Sequence, residues 1–336
     1  MSLNEIDDVF TIAKKAIILS FIIVMISSYL IAMILGPLII FFTESGKELI
    51  NYPIQFDFFI IGLPDGIPVE FNAGLGFIFC WTIYWVAFFA SYFSGEKFHQ
   101  LLRKREGYTD DDLTKNFLFS MPIITSLLYT GLVALILVQL FLGVQFGPTL
   151  VSKEQNQLIT FFHLTFSPIT EEIGFRLIPL GLLTAGSLLV ITRKKPKMEF
   201  AKISLLSFLF PDKAKEAAGV KNVQKFGPFK GIAVYEWIGI LLTAVFFGFA
   251  HYYFGAWNVD KIVTSTIFGV ALGFAYLIYG IHASILMHWW FNYYSEAYVQ
   301  AYLFSPNIPW ISIVNFLWLT ILISGSIGWL LISRAK

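Results

Sequence analysis

Residues 16–42 read AIILSFIIVMISSYLIAMILGPLIIFF and carry no charged side chain. A helix needs about 20 apolar residues to cross the hydrocarbon of a bilayer, and this stretch exceeds that. Seven more runs follow: Ala73–Phe93, Phe117–Gly143, Gln157–Thr192, Val234–Tyr253, Val263–Tyr279, Ser284–Phe304 and Ile311–Ser333. Their apolar character is continuous rather than alternating, which excludes barrel strands. The first run lacks a small-residue cleavage site and is too long for a signal-peptide core, so it is read as a true span. The expected fold class is all-α, a polytopic transmembrane helical bundle of about eight spans.

Composition agrees. The 336 residues are 57% hydrophobic and 13% charged, with mean hydropathy +0.72. Soluble domains have about 45–50% and about 25%, so a water-soluble enzyme and a disordered chain are both excluded. Membrane lipid is the expected surrounding. A net charge of +1 offers no general attraction to nucleic acid. Cys80 is the single cysteine, which rules out an internal disulfide and any cysteine-pair metal or redox site.

Basic residues set the expected orientation. They lie at Lys14 and Lys15, at Arg103, Lys104 and Arg105, densely from Arg193 to Lys230, and at Arg334 and Lys336. Residues 43–72 hold Lys47 alone against Glu44, Glu48, Asp57, Asp65 and Glu70. In an eight-span count every basic loop falls on one side, so both termini are expected in the cytoplasm. Within the loop 193–232, FAKISLLSFLF (Phe200–Phe210) is too short to span and is expected in the interface. The chain divides into an N-terminal two-span region with an exoplasmic loop (1–116), a core carrying the cytoplasmic loop 193–232 (117–304), and a C-terminal span (305–336).

Ionisable residues inside a membrane are costly, and each marks a candidate site. Three clusters qualify. SPITEEIGFR carries Glu171, Glu172 and Arg176; FFGFAH carries Phe247 and His251; HWWFN carries His288 and Asn292, with Glu296 beyond. Glu172 and Arg176 are four apart, share a face and form an ion pair in the favoured order. Glu171 lies about 100° round the helix and has no partner on its own helix. An unpaired carboxyl at depth is suited to act as a general base. His288 and Asn292 share a face and can both donate to one point, as an oxyanion hole requires. Glu296 either orients Asn292 or is solvated. Pro168 is expected to break the fourth span or start a fresh helix. His99, His163 and His282 read as structural or solvated.

In order and spacing, Glu171-Glu172-x-x-x-Arg176, Phe247-x-x-x-His251 and His288-x-x-x-Asn292 resemble the motifs of the type II CAAX prenyl endopeptidase family, the abortive-infection or bacteriocin-processing intramembrane proteases. The resemblance covers roughly residues 117–304, and it departs at Leu177, where many members have Gly. It implies a helical core around a cavity open toward the cytoplasm. It also implies peptide hydrolysis, with a peptide or prenylated protein, CAAX-type, as substrate; the leading reading is a glutamate protease that needs no metal. By motif, Glu171 would activate water, His251 would help hold it, His288 and Asn292 would stabilise the oxyanion, and Glu172 and Arg176 would support the geometry. No cofactor is expected.

Three other readings compete. One Glu with two His matches the three-ligand pattern of catalytic zinc, although HExxH is absent. A non-catalytic peptide-binding or immunity protein would keep its phenotype after Glu171→Gln. A transporter would show inverted repeats. Depth is an open question. Glu171 precedes Arg193 by 22 residues, about 33 Å of helix, whereas His288 follows the Gly280–His282 turn closely. A broken fourth span, a tilted one, or a turn sunk into the membrane would bring them level.

Overall fold

Two asparagines set where spans begin. Asn72 accepts from Gly74 N–H at 3.0 Å. Asn116 accepts from Phe119 N–H at 3.3 Å and donates to the Ser91 carbonyl at 2.9 Å. Each satisfies an amide that the helix start leaves without an internal partner. The computed structural model describes residues 3–58, 60, 67–104, 112–144, 157–254 and 257–334. Asp65, Arg105 and Lys336 lie outside the described residues.

The long helices are α1 (Leu3–Phe42), α2 (Ala73–Phe93), α3 (Phe117–Phe141) and α4 (Gln157–Thr192). Two shorter ones, α5 (Lys197–Leu209) and α6 (Pro211–Ala218), lie in the loop 193–232, and then come α7 (Val234–Phe254), α8 (Asp260–Tyr279), α9 (Ile281–Phe304) and α10 (Trp310–Arg334). A hairpin of β1 (Pro53–Phe58) and β2 (Ile67–Asn72) adds a small antiparallel sheet, pairing Pro53 with Asn72 and Phe58 with Ile67. The chain is an integral membrane protein, a polytopic helical bundle. Among the described residues 7 helices are long and apolar enough to span.

The eighth expected span, α9, forms as a helix but falls short of that apolarity. It carries His282, His288, Asn292, Glu296 and Gln300. Its position explains why this is tolerated. Trp289, Trp290, Tyr293 and Tyr294 are at most 1% exposed, because α1, α2 and α4 pack on one side of the helix and α3, α8 and α10 on the other. Tyr294 donates to Ser28 Oγ at 2.8 Å and Tyr298 to the Ser28 carbonyl at 2.8 Å. Trp289 meets Tyr29 and Trp81 edge-on. A helix wrapped by protein need not be apolar toward lipid.

α7 and α8 approach closely through small residues. A Cβ on Gly269 would lie 3.0 Å from Ala244 Cα, and one on Gly248 would lie 2.5 Å from the Ile262 carbonyl oxygen. Such contacts drive helix association where lipid removes the hydrophobic incentive.

The loop 193–232 folds back on the bundle. Leu188 of α4 clusters with Ile203 and Ala214. Lys215, 2% exposed, reaches Glu236 at 2.9 Å and the Gly231 carbonyl at 2.6 Å, tying the loop to the first turn of α7. The expectation of an interfacial Phe200–Phe210 is therefore refined: this segment lies against α4 and over the α8–α9 turn.

Candidate active site

α4 is continuous through Pro168, and the expected break is not there. The irregularity lies one turn later, at Ile173–Leu177, where the Ile178 amide donates to Ile173, five residues back. This π turn widens the helix just after the two glutamates, and such turns recur at functional sites. Pro168 is accommodated because its missing amide costs one bond in a buried helix whose neighbours supply the packing.

The expected pair forms. Arg176 Nη1 lies 3.2 Å from Glu172 Oε1, both side chains fully buried. Arg176 also donates to the Gly269 carbonyl at 3.3 Å and sits 4.2 Å over the Phe247 ring. His288 Nδ1 is 2.8 Å from Glu172 Oε1. His251 Nδ1 is 2.9 Å from the Phe247 carbonyl. A carbonyl oxygen only accepts, so Nδ1 of His251 carries the proton. The Phe247 ring meets both imidazoles edge-on, at 4.5 Å from His251 and 5.7 Å from His288.

With each Nδ1 engaged, both Nε2 atoms turn to Glu171. Its Oε2 is 3.5 Å from His288 Nε2 and 3.9 Å from His251 Nε2. That oxygen is buried and has no hydrogen-bond partner, although the side chain is 23% exposed. These separations exceed a hydrogen bond, yet a water at about 2.8 Å from each atom closes the triangle. Three distant stretches of chain thus meet at one point. Among the described residues, no group of three or more His, Cys, Asp or Glu is arranged to hold a metal ion.

Two residues depart from expectation. Asn292 donates to Ser167 Oγ at 3.3 Å, and sequence reasoning missed Ser167, a serine four before Glu171 that shares its face. Glu296 neither orients Asn292 nor is simply solvated: it accepts from Gln300 at 2.7 Å. Of the three histidines set aside, His99 contacts Tyr92 Oη at 3.1 Å, and His282 is buried against Phe210.

The level of His288 within the bundle follows from the turn that precedes it. Gly280, at φ 113°, turns beneath the loop: a Cβ there would lie 2.3 Å from the Leu209 carbonyl. Tyr276 donates to the Phe208 carbonyl at 2.8 Å. The turn is sunk under α5 and α6, so eight residues of α9 carry His288 to the level of Glu171.

A cavity of 330 Å³ reaches His251, His288 and Asn292 from between α3 and α8. Its other walls come from the second half of α3, including Leu132 and Ile136, and from the first turns of α8. This is the end of the bundle opposite the loop 193–232. Two sequence expectations therefore separate. The basic loops would put this end on the exoplasmic side, while the resemblance implies a cytoplasmic opening, and one orientation cannot satisfy both. Of the α9 aromatics near the motif, Trp289, Trp290, Tyr293 and Tyr294 are core and Phe291 lines the cavity, while Tyr302 and Phe304 at the far end of the helix are exposed.

No curated protein and no solved structure matches the chain. Residues 154–294 match the family model described as Type II CAAX prenyl endopeptidase Rce1-like, a family of proteases. Over that stretch, which holds all seven motif residues, the family read from the three motifs is borne out.

Proposed function

We propose that the chain is an intramembrane peptidase that cleaves near the C-terminus of a membrane-held peptide, with a prenylated CAAX-type tail as the leading substrate. The observation that carries this is Glu171 Oε2, buried without a partner and facing two imidazole Nε2 atoms. Glu171 and His251 hold a water. As its oxygen attacks the scissile carbonyl, its proton passes to Glu171, which then delivers it to the leaving amine. His288 donates through Nε2–H to the oxyanion. With Nδ1–H held by Glu172, the ring can do this only when doubly protonated. Asn292, held by Ser167, offers a second donor. Glu172 and Arg176 fix the His288 ring.

The basic loops and both termini are assigned to the cytoplasm by charge, which places the cavity in the exoplasmic half. Its gap between α3 and α8 faces lipid, so a lipid-anchored chain end can reach it laterally.

The test is purified protein in detergent with a fluorogenic farnesylated peptide, where sidedness does not matter. Wild type should cleave with or without chelator, and Glu171→Gln should lose on the order of 10²–10⁴ in rate. A Glu171→Gln enzyme within tenfold of wild type would refute the base assignment. Loss on chelation would favour the zinc reading.

A further inference from the structure

Lys261 is a charge that the hydrolytic steps leave unused. It stands in the first turn of α8, where the helix dipole disfavours a cation, so helix stability does not explain it. It also lies at the end of the bundle that is poor in basic residues. Among the described residues no carboxylate lies within 4.0 Å of its ammonium. The ammonium rests 4.3 Å over the Trp257 ring. It lines the same cavity as His251 and His288, facing the apolar side chains of Leu132, Val133 and Ile136.

That cavity therefore presents an ammonium that, among the described residues, Glu171 and Asp260 influence only from beyond ion-pair distance, together with an apolar wall and the imidazoles of the hydrolytic site. A chain end entering it would bring a carboxylate out of water, which is costly unless a partner receives it. A compact ammonium on a flexible stem is such a partner. An internal segment of polypeptide brings no such charge.

We propose that Lys261 binds the free α-carboxylate at the substrate's C-terminus and so sets which peptide bond lies at Glu171. This rests on the peptidase reading above. Lys261 is a specificity residue here and takes no part in bond breaking.

The experiment compares two farnesylated fluorogenic peptides of one sequence, without acidic side chains, ending in a free acid or an amide. Wild type should prefer the acid by about tenfold or more in kcat/KM, chiefly through KM. In Lys261→Met the ratio of acid to amide should fall to near one, and Lys261→Arg should keep it. The ratio is internal to each variant, so partial misfolding does not imitate the effect. Binding of both peptides to Glu171→Gln protein in phosphatidylcholine nanodiscs, read by anisotropy, gives the same comparison without turnover. If wild type cleaves neither peptide yet binds the acid through Lys261, the peptidase reading fails, the setting of the scissile bond fails with it, and carboxylate binding at Lys261 stands alone. Equal handling of acid and amide by wild type, or a preference that survives Lys261→Met, would overturn it. So would a finding that phosphatidylglycerol, rather than the peptide carboxylate, binds in a Lys261-dependent way.

Discussion

Arg176→Met tests whether the buried pair holds the site together. The guanidinium lies 3.2 Å from a Glu172 carboxylate with no exposure, and it also gives a hydrogen bond to Gly269 and covers the Phe247 ring. Removing one partner of a buried pair leaves the other charge uncompensated, at about 3–5 kcal/mol. On the scale of about 2–4 °C per kcal/mol, the unfolding midpoint should drop by about 6–20 °C. Cys80 supplies the readout, being the single cysteine and fully buried: a thiol-reactive dye in detergent reports its exposure on heating. The double variant Glu172→Gln/Arg176→Met should lose less than the two single losses summed, by more than about 1 kcal/mol. A midpoint for Arg176→Met within about 2 °C of wild type, or costs that simply add, would refute the clamp.

Two further outcomes follow from packing and charge. Gly248→Ala places a methyl 2.5 Å from the Ile262 carbonyl oxygen and 2.2 Å from Thr266 Oγ1. It should cost about 1–3 kcal/mol, and by displacing His251, three residues on, lower peptidase activity on the order of 10²-fold; unchanged activity with normal folding would show that the α7–α8 approach does not position His251. In intact cells, a cysteine at position 258 of a Cys80→Ala background should react with an impermeant maleimide added outside, and one at position 221 should not; the reverse pattern would overturn the assignment of the basic loops to the cytoplasm and support the opening implied by the family.

What the sequence made legible was whatever depends on neighbours along one helix. Four-residue spacing identified the Glu172–Arg176 pair, left Glu171 over, and set His288 on the face of Asn292. What it hid depends on contacts between helices. Ser167 is an ordinary serine until α9 brings Asn292 against it, and the π turn at Ile173–Leu177 has no residue signature comparable to Pro168, which drew the expected break to the wrong place. The level of His288 was hidden for the same reason, since it depends on α5 and α6 covering Gly280. α9 joins both limits. Its polar residues keep it below the apolarity of a lipid-facing span, and that shortfall follows from its place inside the bundle. Tyr29, Trp81 and Tyr84 enclose Trp289, so α9 cannot rotate without dismantling the aromatic core, and His288, one residue before, is held in direction by the same packing. A lipid-facing helix could not carry this histidine cheaply, nor hold it rigidly enough to keep Nε2 turned on Glu171. Central burial is thus the condition both for the weak hydropathy signal and for the preorganisation that hydrolysis within a membrane requires.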